Sequence, residues 1–126
     1  MKIKMEQAFR LNEICKKFAE QLLPIKTSYR VAKTALALEQ EILFCRAQYT
    51  KYLNLYAQTD EDGNFITNSL GGIMVKEGME EESKQKFEEL DNLEIEIPEF
   101  ELTLEELDGV EITVADMAVL VPFIKE

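Results

Sequence analysis

Apolar residues recur at helical spacing through the first part of the chain. From Ala8 to Ile25 the spacings are 3, 4, 3, 4 and 3, which is a heptad seam. The seam consists of Ala8, Leu11, Cys15, Phe18, Leu22 and Ile25. Pro24 lacks a backbone N–H and restricts the residue before it, so the pattern predicts a helix over about 3–23.

A second, longer helix is predicted over about 28–58, with Thr27 or Ser28 as its N-cap. Its seam follows spacings of 3, 4, 3, 4, 3 and 4 and consists of Ala35, Leu38, Ile42, Cys45, Tyr49, Tyr52 and Tyr56. A second apolar stripe makes this helix wide enough for more than one neighbour: Ala32, Leu36 and Leu43. Because the connection is short, the two helices are expected to form an antiparallel, coiled-coil-like hairpin.

One cysteine lies on each predicted helix. If the hairpin turns near residues 25–26, Cys15 and Cys45 are about 8 residues apart along the axis, roughly 12 Å at the rise of an α-helix. That separation is too large for a disulfide. Both are therefore expected to be small core residues, and a reactive thiol is the alternative.

The second helix is expected to extend beyond the first, and its last turns carry three tyrosines. The C-terminal half of the same chain could cover these rings, or a second subunit or protein partner could do so. If an interface exists there, the candidate residues are Phe44, Arg46, Tyr49, Tyr52 and Tyr56.

The second half of the chain predicts short mixed elements. Phe65–Thr67 and Ile73–Val75 are β-type runs joined by a five-residue loop, which predicts a hairpin. A thin-faced surface helix is predicted over 77–92, and strict alternation predicts a strand over Leu93–Ile97. After these come a capping box from Thr103 to Glu106, a short strand Val110–Ile112 and a helix capped at Thr113.

The predicted fold class is therefore α+β. Residues 1–58 form the long helical hairpin, and residues 59–126 form a small acidic region with an antiparallel sheet and short helices packed on it. The length of 126 residues fits one folding unit.

The charge balance of the chain also changes between residues 1–58 and residues 59–126. Residues 1–58 hold 10 basic and 5 acidic side chains, and residues 59–126 hold 4 basic and 20 acidic ones, so +5 and −16 give the net −11. The acidic half is either a solvated surface or a site for a basic partner, and attraction between the halves also permits head-to-tail self-association. The candidate acidic surface is Glu94, Glu96, Glu99 and Glu101.

Composition removes several classes of function. Without histidine there is no His-based catalytic triad, and two cysteines cannot build a four-thiolate zinc site. A calcium loop starting at Asp60 would need Gly and Glu where Phe65 and Gly71 stand. No catalytic, metal or cofactor-binding residue is therefore predicted, and net acidity argues against direct nucleic-acid binding. With no apolar run of membrane-spanning length, the expected location is the cytoplasm.

Several motifs resemble those of small acidic proteins encoded by phages and prophages of Gram-positive bacteria. The matching segments are Glu61-Asp62-Gly63-Asn64, Gly72-Ile73 with Glu77-Gly78, the run from Leu104 to Thr113, and Pro122-Phe123-Ile124. The resemblance implies a phage-encoded accessory protein of a bacterial host cell, with a virion-associated or assembly role. It carries over no catalytic residues.

The sequence thus favours a non-enzymatic protein–protein interaction protein, which is expected to form a homo-oligomer or to bind another protein. The alternative is an acidic inhibitor that mimics nucleic acid and blocks a host nuclease or defence complex. An enzyme is disfavoured because no nucleophile has an identifiable activating base.

Overall fold

The structure is a computed structural model and describes residues 1–125. Its helices are α1 (Met5–Phe18), α2 (Ile25–Tyr56), α3 (Glu80–Asp91) and α4 (Val114–Leu120). Its strands are β1 (Lys2–Lys4), β2 (Glu94–Glu96), β3 (Leu102–Thr103) and β4 (Ile124–Lys125). Helices and small sheets in one chain confirm the predicted α+β class.

The strands form two separate two-stranded sheets. β1 pairs with β2 in antiparallel register. Ile3 lies opposite Ile95, and both side chains are buried in the core. β3 pairs with β4 in parallel, so the prediction of an antiparallel sheet holds for the first pair only. The predicted strand Leu93–Ile97 is confirmed in its middle, as β2.

The first helix is shorter at both ends than predicted. Lys2–Lys4 alternate exposed, buried, exposed as a strand, because Ile3 is buried and the backbone pairs with β2. At the other end α1 stops at Phe18, six residues before Pro24. There the backbone N–H of Gln21 donates a hydrogen bond to the carbonyl of Phe18, which closes a turn. Local spacing alone extended this helix too far.

The long helix α2 is the central element of the fold. Its 32 residues give it a length of about 48 Å at 1.5 Å per residue. It begins at Ile25 with Pro24 in the N-cap position, so the prediction of a Thr27 or Ser28 cap is wrong. Thr27 is instead 1% exposed and binds Glu106 through its hydroxyl group.

Two other helices, α1 and α3, pack against different parts of α2. The α1 helix packs along it and supplies much of the core. The α3 helix covers its C-terminal half: Phe87 contacts Tyr49 and Tyr52, while Glu82 lies beside Tyr56. The thiols of Cys15 and Cys45 are both buried and free, as predicted.

The C-terminal segment, residues 100–125, completes the core beside α1. Its buried side chains are Phe100, Leu102, Leu107, Leu120 and Phe123. The predicted cap at Thr113 is confirmed, since its hydroxyl accepts a hydrogen bond from the backbone N–H of Asp116 at 3.1 Å. The predicted strand Val110–Ile112 is wrong, because the side-chain amide of Gln21 binds both the N–H and the carbonyl of Glu111 and takes the place of a strand partner.

Candidate functional site: the outer face of the long helix

The side of α2 that points away from the core is apolar and exposed. Four large side chains on it are exposed to 84%, 69%, 65% and 58%: Ile25, Tyr29, Leu36 and Leu43. Their spacings of 4, 7 and 7 put them on one side of the helix. Ala32 and Ala47 continue the same row and are also exposed. We call this row the outer face.

Polar side chains flank the outer face. Glu39 and Arg46 lie along one edge and Lys33 along the other, by the rotation of 100° per residue. Within residues 1–125, neither Glu39 nor Arg46 has an oppositely charged group within 4 Å. The edge with Glu39 and Arg46 borders α1, where an open groove of about 530 Å³ separates the two helices.

The groove is mainly apolar at its base and polar at its rim. From α1 it is lined by Asn12, Lys16 and Ala19, and from α2 by Ala32, Ala35, Leu36, Glu39, Ile42, Leu43 and Arg46. The second apolar stripe predicted from the sequence therefore lies in the open, and the first one faces the core.

The five predicted interface residues do not share one surface. Phe44 and Arg46 are exposed and flank Leu43 on either side of the outer face. Tyr49 is about half exposed, Tyr52 is half-buried, and both rings lie against Phe87, with centroids 5.0 and 5.7 Å away. Tyr56 is buried, and burial together with the Glu82 carboxylate raises its pKa.

Beyond the end of α2, residues 57–76 close into a small ring. Three antiparallel bridges join its segments in a cycle: Ala57 to Val75, Thr59 to Phe65, and Thr67 to Ile73. The backbone N–H groups of Gln58, Met74 and Ile66 donate to the carbonyls of Met74, Ile66 and Gln58 in turn. We call this segment the closed ring. The predicted hairpin is present only as one bridge of it.

The closed ring is built on an eight-residue repeat that the predictions missed. Asp60 and Asn68 each accept backbone N–H bonds from the second and fourth residues after them. Three residues after each comes a glycine, Gly63 and Gly71, with φ of 81° and 83°. The recurring Thr-Asx-x-x-Gly-x-apolar-apolar pattern could have revealed the repeat. Its apolar residues stay partly exposed on the ring: Phe65, Ile66, Ile73 and Met74.

The candidate acidic surface lies beside positive groups of the same chain. In the β1–β2 register, Lys4 stands opposite Glu94 and Lys2 opposite Glu96. The amino group of Met1 lies 3.3 Å from the Glu96 carboxylate and 3.9 Å from that of Glu99. Lys125 lies 4.0 Å from Glu101. Three of the four carboxylates therefore lie within 4.0 Å of a positive group, and Glu94 has Lys4 opposite it in the strand register.

A partly buried carboxylate joins the C-terminal segment to the start of α2. One oxygen of Glu106 accepts hydrogen bonds from Thr27 and Arg30, and the other accepts bonds from the N–H and hydroxyl of Thr103. Burial raises the pKa of this carboxyl group, but these bonds outweigh it and hold the pKa below its usual value. The capping box predicted from Thr103 to Glu106 is confirmed.

The environment of the Cys15 thiol disfavours its ionisation. Burial raises the pKa of the Cys15 thiol to about 12, so the thiolate that would react is scarce. In residues 1–125, no three His, Cys, Asp or Glu side chains converge as a metal site would require. Over the same residues, no helix has the length and apolar character needed to cross a membrane.

No protein-family model matches the chain, and no curated protein or solved structure shows significant similarity to it.

Proposed function

We propose that the chain is a phage-encoded, non-enzymatic protein–protein interaction protein with a virion-associated or assembly role. The observation that carries the interaction role is the outer face of α2, where Leu36 and Leu43 are more than half exposed in a row with Ile25 and Tyr29. An exposed apolar row along one side of a helix is typical of a protein contact site.

The helical arrangement suits this role. α1 and α2 are joined by only six residues, so we interpret them as a coiled-coil-like antiparallel hairpin. Its inner side packs on the chain's own core, and its outer side supplies a rigid helix that a partner can bind. The phage origin rests on the sequence resemblance, and the folded protein is expected to act in the host cytoplasm or in the virion.

The acidic-inhibitor alternative has less support. A nucleic-acid mimic needs a continuous array of unpaired carboxylates. Glu94, Glu96, Glu99 and Glu101 each lie beside or opposite a positive group, so we do not put this function first.

The experiment is affinity capture from phage-infected and uninfected host lysates with a tagged chain. Leu36→Lys places a charge on the outer face and is expected to remove the captured protein. Leu104→Lys is the matched control, because Leu104 has a similar exposure of 61% but lies in the C-terminal segment. Equal capture by both variants and the wild type would refute a role for the outer face.

A further inference from the structure

We infer that the outer face of α2 binds a second copy of this chain, antiparallel and related by a twofold axis near Leu43. This inference rests on the proposed function, because it names the partner of the same face. Its basis is the arrangement of two unpaired charges around an exposed leucine: Glu39 and Arg46 on one edge of the helix, with Leu43 beside them.

The two charges are seven residues apart on the same edge of α2. When two helices pack antiparallel about a twofold axis, the same edges meet, and a residue near one end faces a residue near the other end. With the axis near Leu43, facing residue numbers sum to about 85 or 86. Glu39 then faces Arg46 of the second copy, and the same pair forms a second time by symmetry.

The opposite orientation lacks this complementarity. In a parallel pair about a twofold axis, opposite edges of the two helices meet, so Glu39 and Arg46 would face the edge that carries Lys33 and Phe44 and not each other. The antiparallel arrangement instead puts Leu43 against Leu43 at the axis and places Phe44 beside it on the other edge.

The ends of the contact also match. With the same axis, Tyr29 lies opposite the last turn of α2 in the second copy, at about residue 56. Ile25 and Tyr29, exposed to 84% and 69%, then lie alongside the closed ring of the second copy, which carries the partly exposed Phe65 and Met74. Apolar surface is thus available on both sides at each end.

The expected dimer is weak. A contact along residues 29–56 is about 40 Å long and one helix diameter wide, or roughly 400 Å² per chain. A standard interface buries about 800 Å² per partner, so even with contributions from the closed ring a dissociation constant on the order of micromolar is expected. Sedimentation equilibrium over a wide concentration range measures it.

Charge exchange tests the inference. Glu39→Lys and Arg46→Glu each put like charges opposite each other twice per dimer and should weaken dimerisation at least about fivefold. The double variant Glu39→Lys/Arg46→Glu restores opposite charges and should recover the wild-type dissociation constant. Both residues are exposed, and circular dichroism checks that each variant is folded. Failure of the double variant to recover dimerisation would overturn the antiparallel register.

Cross-linking tests the orientation independently. Glu39→Cys and Arg46→Cys are prepared separately and treated with a short bis-maleimide, while the native thiols of Cys15 and Cys45 remain buried. Covalent dimers are expected when the two variants are mixed, because these positions face each other. Covalent dimers that form with either variant alone and do not increase on mixing would refute the inference.

Failure of this inference can be told apart from failure of the proposed function. If the wild type stays monomeric at about 500 μM, several hundredfold above a micromolar dissociation constant, but captures a host or phage protein through Leu36, only the second-copy partner is refuted. If it stays monomeric and Leu36→Lys leaves capture unchanged, both proposals fail. A dimer that responds to the charge exchange supports both.

Discussion

Replacing Glu106 with alanine tests whether its carboxylate holds the C-terminal segment against α2. Four protein groups donate hydrogen bonds to this side chain: the hydroxyl of Thr27, the guanidinium of Arg30, and the N–H and hydroxyl of Thr103. Thr27 is 1% exposed, so its hydroxyl would lose its partner where water cannot replace it.

The expected loss of stability follows from these contacts. A buried hydroxyl left without a partner costs about 2 kcal/mol. The Arg30 side chain is 38% exposed, so its ion pair adds about 0.5 kcal/mol, and the lost capping bond to Thr103 adds a similar amount. The sum is about 3 kcal/mol, which for a chain of this length lowers Tm by about 10 °C.

Urea denaturation of Glu106→Ala and Glu105→Ala at pH 7 provides the measurement. Glu105 is the neighbouring exposed carboxylate and should change the free energy of unfolding by less than about 0.5 kcal/mol. In a double-mutant cycle, Thr27→Val combined with Glu106→Ala should cost less than the sum of the two single changes. Equal effects of Glu105→Ala and Glu106→Ala would refute the assignment of this carboxylate as the link.

The stability difference between wild type and Glu106→Ala should also depend on pH. Because the folded pKa of Glu106 is lowered, its ionisation stabilises the fold above the unfolded pKa of about 4.3. That stabilisation disappears as the pH falls through the lower, folded pKa. The difference between wild type and Glu106→Ala should therefore shrink in acid, and a difference that grows there would contradict the shift.

Three further predictions concern the aromatic cluster, the closed ring and the thiols. Phe87→Ala should cost about 2 to 3 kcal/mol in urea denaturation, because its ring packs on Tyr49 and Tyr52, whereas exposed Lys84→Ala should be near neutral; equal costs would show that Phe87 does not hold α3. Gly71→Ala should destabilise the ring by about 1 to 2 kcal/mol through its φ of 83°, and Gly71→Asn by less. Hydrogen exchange at the amides of Ile66 and Met74 measures that change, and unchanged exchange in Gly71→Ala would contradict it. The Cys15 thiol, with a pKa of about 12, should react with a disulfide reagent at pH 8 only when denaturant unfolds the chain; rapid reaction of the folded protein would disprove its burial.

Helix periodicity was sufficient to find α2 and its two apolar stripes. A spacing of three and four identifies which residues share a face, and Leu38, Ile42 and Cys45 are indeed buried together. It could not say which stripe faces solvent, because that depends on where α1 and α3 pack. Periodicity also did not identify Thr27 and Thr34 as core residues, although both polar side chains are buried on the core side of α2.

Long-range partners explain the remaining errors. Lys2–Lys4 read as the start of a helix, and they form a strand only because Glu94–Glu96 lie beside them. Val110–Ile112 read as a strand, but Gln21 supplies its hydrogen bonds. In the closed ring, each segment pairs with two others, a closure that no local pattern of alternation describes.

The pairing of β1 with β2 has a consequence for synthesis on the ribosome. Ile3 is made well before its partner Ile95, which follows 92 positions later, since 95 − 3 = 92. At the usual rate of about 5 to 20 residues per second, the strand waits roughly 5 to 18 seconds for its partner. The α1 and α2 helices have emerged by then and can pack together. We therefore expect the first strand to reach its place after the first two helices, with Ile3 exposed to chaperones throughout that interval.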